Sequence, residues 1–191
     1  AYYEKARLLQ SQNRSDSAVH YFQKAVQLDG DNLWYKILLA NLYDQRQDGE
    51  NLVKTWSAIV KQCPDKLDYY YELSNAYILA NNIPAAVATL NKVEKIVGIT
   101  ESISLQKQKL WEFAGKSDKA LKEVEALADA LPQEYKYSAI LAEANMRAKN
   151  YPKAKQYYDR VLAANPDDDY IHISLASYYK AVGDMASAAA E

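Results

Sequence analysis

The 191-residue sequence is poor in residues that break or staple a chain: it holds one cysteine, five glycines and five prolines. The lone thiol, Cys63, cannot form an intramolecular disulfide, and with two histidines it gives no Cys/His metal site of recognised spacing. Ten turn-formers are too few for an all-β domain, which needs a Gly- or Pro-bearing turn between most of its short strands. No apolar run approaches the roughly 18 residues of a membrane span, and no basic segment followed by an apolar core opens the chain. Neither sign of charge dominates, since 23 Lys and Arg face 25 Asp and Glu, and no basic block is present to steer nucleic acid or an anionic lipid surface. Nucleic acid is therefore not an expected partner, and membrane insertion by this segment is not expected either. Tyrosine is abundant, with 17 residues in a chain that is 49% hydrophobic and 25% charged, the balance of a globular or repeat protein.

The scarce turn-formers fall on a lattice. Pro64, Pro132 and Pro166 are separated by 68 and 34 residues, and Pro84 and Pro152 by 68. If 34-residue units begin at Leu33, Leu67, Glu101, Tyr135 and Asp169, then Gly30, Pro64, Gly98, Pro132 and Pro166 all occupy position 32. Pro84 and Pro152 share position 18, Gly115 and Gly183 share position 15, and Gly49 lies at 17. Between these two windows apolar residues recur at three- and four-residue steps, the period of a helix. Each unit therefore reads as helix, turn, helix, turn. The array comprises repeats 1–32, 33–66, 67–100, 101–134, 135–168 and a truncated 169–191, as a single domain over 1–191 with no insertion.

Side chains repeat with the turns. Position 20 holds Ala18, Leu52, Ala86, Ala120, Ala154 and Ala188, and position 8 holds Ala6, Ala40, Ser74, Gln108, Ala142 and Ala176. Small residues at both places let two helices approach closely, near the short end of the ~8–10 Å interaxial range. Bulky residues fill position 24 (Phe22, Trp56, Leu90, Val124, Tyr158) and position 11 (Leu9, Tyr43, Tyr77, Trp111, Tyr179), and Leu39, Leu73, Leu141 and Leu175 occupy position 7. This pattern resembles the tetratricopeptide repeat family along the whole chain. The resemblance implies an all-α, right-handed superhelical solenoid of antiparallel helix pairs, about six 34-residue repeats, whose first helices line a concave groove for a protein or peptide.

Catalytic chemistry finds no constellation here. His20 lies at position 22 on a second helix, His172 occupies position 4, where a bulky residue normally packs between helices, and Cys63 precedes Pro64 with no histidine in its unit. The five glycines are isolated, so no phosphate-binding loop is formed. Asp167, Asp168 and Asp169 at a helix start are favourable charges against the helix dipole. The chain is thus expected to be no enzyme and to need no cofactor and no metal.

In the family's frame, positions 2, 5, 6, 9, 12 and 13 of each first helix face the groove. The candidate peptide-binding residues on that face are Trp34, Ile37, Asn41, Tyr71, Asn75, Ile78, Leu105, Lys109, Glu143, Tyr170 and Ile173. Asn41 and Asn75 stand 34 residues apart at position 9, and a carboxamide offers both a donor and an acceptor to an extended backbone. The carboxylate clamp by which some family members hold chaperone tails is not reproduced. Starting at the second repeat its positions read Ile37, Asn41, Glu72, Ser102 and Gln106; starting at the third they read Tyr71, Asn75, Gln106, Lys136 and Ile140. Too few cations are present for bidentate capture.

The fourth repeat departs most from the pattern, with Lys107 and Gln108 where Leu and a small residue belong, and loosest packing is expected there. The alanine-rich tail Ala186, Ala188, Ala189 and Ala190 does not resemble a polar capping helix, so further repeats or another domain are expected beyond this segment. The expected function is a non-catalytic protein- or peptide-binding scaffold. The alternatives are a substrate-recruiting or regulatory module of a larger enzyme or signalling protein, and a self-association module giving a weak homo-oligomer through its open ends. Similarity to long bacterial repeat proteins of the cell envelope implies a bacterial, periplasmic setting.

Overall fold

The computed structural model describes residues 1–191 and contains twelve helices and no strand. The first helices of the repeats are α1 (Tyr2–Ser11), α3 (Leu33–Gln45), α5 (Leu67–Leu79), α7 (Glu101–Phe113), α9 (Lys136–Arg147) and α11 (Asp169–Val182). The second helices are α2 (Ser15–Leu28), α4 (Gly49–Gln62), α6 (Ile83–Val97), α8 (Ser117–Ala130), α10 (Tyr151–Ala164) and the short α12 (Met185–Ala188). Every second helix starts 34 residues after its predecessor, as the lattice of turns requires. Pro84 and Pro152 lie in the first turns of α6 and α10, where their missing N–H has no helical partner to lose.

The turn inside each hairpin is the same six times. Asn13, Gln47, Asn81, Gly115, Lys149 and Gly183 all adopt positive φ, between 54° and 84°, and all occupy position 15. The next residue's N–H returns to a carbonyl five residues back, as in Asp48 to Tyr43 at 2.9 Å and Asn150 to Asn145 at 2.8 Å. The left-handed residue itself donates three residues back, as in Gln47 to Asp44 and Lys149 to Met146. These two bonds form a Schellman motif, which satisfies carbonyls that the ending helix leaves open. Side-chain caps then start the following helix in half of the hairpins. Asp48 accepts from Asn51 N–H, Asn82 from Ala85 N–H and Asp184 from Ser187 N–H.

The helices form two compact units, Ala1–Gly98 with α1–α6 and Ile99–Glu191 with α7–α12. Within each unit every helix packs on its neighbours in sequence. In the first unit Ala6, Ala18 and Ala40 are wholly buried beside Phe22, Leu39, Tyr43, Leu52 and Trp56. In the second, Ala142 and Ala154 pack with Val124, Leu141, Tyr158 and Leu175. Positions 7, 8, 20 and 24 thus build the core. Ser74 shows how tightly a hairpin closes at position 8, donating to the Ala86 carbonyl on the facing helix at 3.2 Å. Gly49 serves the same closeness differently: a Cβ there would lie 2.8 Å from the backbone nitrogen of Ala80, so α4 can meet the end of α5 only with no side chain at that point.

The fourth repeat is filled where looseness was expected. Lys107 at position 7 is only 3% exposed, and its ammonium lies 2.6 Å from a Glu123 carboxylate oxygen on α8. The indole N–H of Trp111 donates to the other Glu123 oxygen at 3.3 Å, while Gln108 turns to bond Glu112 at 3.0 Å. An internal ion pair therefore occupies the place that Leu fills elsewhere, and the obstruction expected from Gln108 is relieved along its own helix.

Candidate functional site

The first unit contains a cavity of about 350 Å³ between α3, α4 and α5. From α3 it takes Ile37, Ala40, Asn41 and Asp44, which follow each other at three- and four-residue steps and so share one helical face. From α5 it takes Glu72 and Asn75, three residues apart. From α4 Leu52 and Trp56 reach in from the core. The volume lies in the ~300–1,000 Å³ span of sites that hold side chains or small ligands. Its walls combine aliphatic and indole surface with two carboxamides and two carboxylates.

Three of the sequence-derived candidates, Ile37, Asn41 and Asn75, therefore meet at one cavity. Asn41 and Asn75 are exposed, and Ile37 is half-buried with its inner side against the first core. Trp34, Tyr71 and Ile78 do not line it; Trp34 is largely exposed, and Tyr71 and Ile78 are half-buried. Leu52 and Trp56 were legible only as packing residues, because positions 20 and 24 point to the hairpin interior. Leu52 carries a branched side chain where the other repeats have Ala, and it forms part of the cavity wall.

The candidates of the second unit are arranged differently. Tyr170 donates its phenolic hydrogen to Glu143 at 2.6 Å, and Arg147 lies 3.7 Å from the same carboxylate. The hydrogen bond to Glu143 holds the Tyr170 phenol above its ordinary pKa. Ile173 and Ile140 remain exposed nearby in the repeat frame, whereas Leu105 packs against the second core. Lys109 is exposed on α7. This face offers an aromatic and aliphatic surface bordered by charges, but the five candidates Leu105, Lys109, Glu143, Tyr170 and Ile173 are not gathered into an enclosed site. Lys136 bonds Glu101 at 3.1 Å, which raises its pKa.

No helix is long and apolar enough to cross a membrane, and no group of three or more His, Cys, Asp and Glu is placed to hold a metal ion. His172 sits between two acceptors, the Pro166 carbonyl at 2.8 Å and Glu191 at 2.6 Å.

Comparison with known proteins places this geometry. Family models described as tetratricopeptide repeat match residues 1–32 and 113–169. No curated protein matches the sequence. Among solved structures, a chain of Naa15/Naa10 bound to HypK-THB is similar with a TM-score of 0.65 and 19% identity, over 94% of this chain and 28% of that one. MamA is similar with a TM-score of 0.53 and 16% identity, over 86% and 90%. The C-terminal part of a repeat protein from Cytophaga hutchinsonii gives 0.55 and 15%, over 89% and 70%. At these identities the likeness concerns the fold. The match to residues 1–32 ends where the turns place the first repeat boundary, and on this agreement of family model, register and fold the chain belongs to the tetratricopeptide repeat family.

Proposed function

We propose that the chain is a non-catalytic scaffold that holds a protein or peptide segment along the first helices of its repeats. The observation that carries this is the α3–α4–α5 cavity, where Ile37, Asn41 and Asn75 are brought together on the face that the repeat frame assigns to ligands. Carboxamides at one position of successive repeats can donate to and accept from an extended backbone whatever its side chains, and an apolar wall beside them gives that segment surface to bury. The fold is one whose units stack into an extended surface. Among the neighbours in fold, one is a complex with a bound protein, HypK-THB, which fits the same use.

The test is a pull-down with the whole chain beside a variant carrying Asn41→Ala, Asn75→Ala and Tyr71→Ala. Loss of captured partners from the variant, with its helical circular dichroism unchanged, is the expected outcome. Capture of the same partners in the same amounts would overturn the groove reading.

A further inference from the structure

We propose that the α3–α4–α5 cavity receives a lysine or arginine side chain of the bound segment; this rests on the groove reading above and assigns the chemistry of its occupant. The cavity's charged side chains are Asp44 and Glu72, both exposed carboxylates, and its lining contains no cation. The ion pairs of the neighbouring helices, Arg46 with Asp16 and Lys54 with Glu50, use other carboxylates and leave these two facing the cavity. Beneath them lie Ile37, Leu52 and Trp56. An apolar floor under an anionic rim suits a side chain with a long aliphatic stem and a cationic head, because the stem can lie on the floor while the head stays at the rim. A carboxylate there would meet like charge, and a neutral side chain would leave the rim unpaired.

Trp56 offers such a ligand a second contact. Its ring is only 6% exposed and lines the cavity, and its indole N–H, which can only donate, is open to solvent rather than sealed in the core. Trp111 shows the contrast, since its indole N–H is bonded to Glu123. The Trp56 indole nitrogen is not one of the fully enclosed unpaired polar atoms, which are Ser104 Oγ and Tyr137 Oη, so solvent reaches it and a ligand acceptor can take the place of that water. A peptide carbonyl next to the seated basic side chain would supply that acceptor, while Asn41 and Asn75 bind the backbone on either side.

The experiment uses the full chain, immobilised, and pools of capped nonapeptides randomised at every position but the centre, which is fixed as Arg, Lys, norleucine or Glu. Retention is measured for the natural chain, for Asp44→Asn with Glu72→Gln, and for Asn41→Ala with Asn75→Ala, each with its helical melting curve as a folding control. The Arg and Lys pools are expected to be retained about tenfold over norleucine. That advantage should vanish in the Asp44→Asn, Glu72→Gln variant and shrink as salt is raised. A basic preference that survives in that variant overturns the assignment to this cavity. Equal retention of all four pools, abolished by the asparagine variant, overturns the basic specificity and leaves the groove reading standing. Retention of no pool, or retention that neither variant alters, overturns both.

Discussion

Position 15 of each repeat is held in the left-handed region, and the side chain there sets a local energetic cost. Asn and Gly enter this region readily, whereas Gln47 and Lys149 carry a Cβ strain of about 1–2 kcal/mol. Part of that relief would be offset by the larger entropy that glycine loses on folding. Lys149→Gly should therefore stabilise the chain by about 0.5–1 kcal/mol, read as a higher urea midpoint at unchanged slope. Lys107 illustrates the opposite economy. Its burial against Glu123 means that Lys107→Ala leaves a carboxylate with only the Trp111 indole beside it, and a loss of about 3–5 kcal/mol is expected in chemical denaturation. Replacing both partners, Lys107→Leu with Glu123→Leu, should recover most of it. The apolar pattern marked position 7 as buried but could not show that a lysine would occupy it. The compensating Glu123 comes from the facing helix, and pairings across a hairpin leave no trace in the periodicity of either helix alone.

Helix boundaries were largely written in the turn-formers, because Pro can enter a helix only in its first turn and position 32 breaks each second helix. The starts of α3, α5, α7 and α11 coincide with the expected repeat starts, and α9 begins one residue late, with Tyr135 as its uncapped N-cap. The hairpin turn itself was only half visible. Gly115 and Gly183 announce it, but Gln47 and Lys149 do not, since there the Schellman hydrogen bonds impose the conformation and the residue merely tolerates it. At the last repeat, α11 is tied to the tail through His172. Both its ring nitrogens face acceptors, so the charged imidazolium is the form that satisfies both. The Pro166 carbonyl first, and Glu191 second, raise its pKa above the ordinary 6.5. Because the folded value is the higher one, this contact contributes fully below about pH 6.5 and is lost as pH rises through the raised value. Amide exchange of residues 185–191 should accelerate over that rise, beyond the intrinsic pH effect, and His172→Gln should remove the excess.

Over the whole molecule, two units each possess their own buried cluster. A fragment ending at Gly98 keeps α1–α6 and the first core, and should melt cooperatively with helical circular dichroism of its own. A non-cooperative, largely unfolded fragment would show that the first unit depends on the second half. The candidate site was legible to the extent that repeat position fixes direction. Ile37, Asn41 and Asn75 were found because three- and four-residue steps on a helix define a face. Trp56 was missed because a residue that packs the hairpin can also form the bottom of a cavity, which only the depth of the surrounding helices decides. The unbroken register has a consequence beyond folding. Since α2, α4, α6, α8, α10 and α12 begin at equal intervals, recombination between misaligned copies of the coding sequence could add or delete a whole repeat and still leave every later turn in phase. Length in such a chain can be inherited as a variable almost separate from the fold itself.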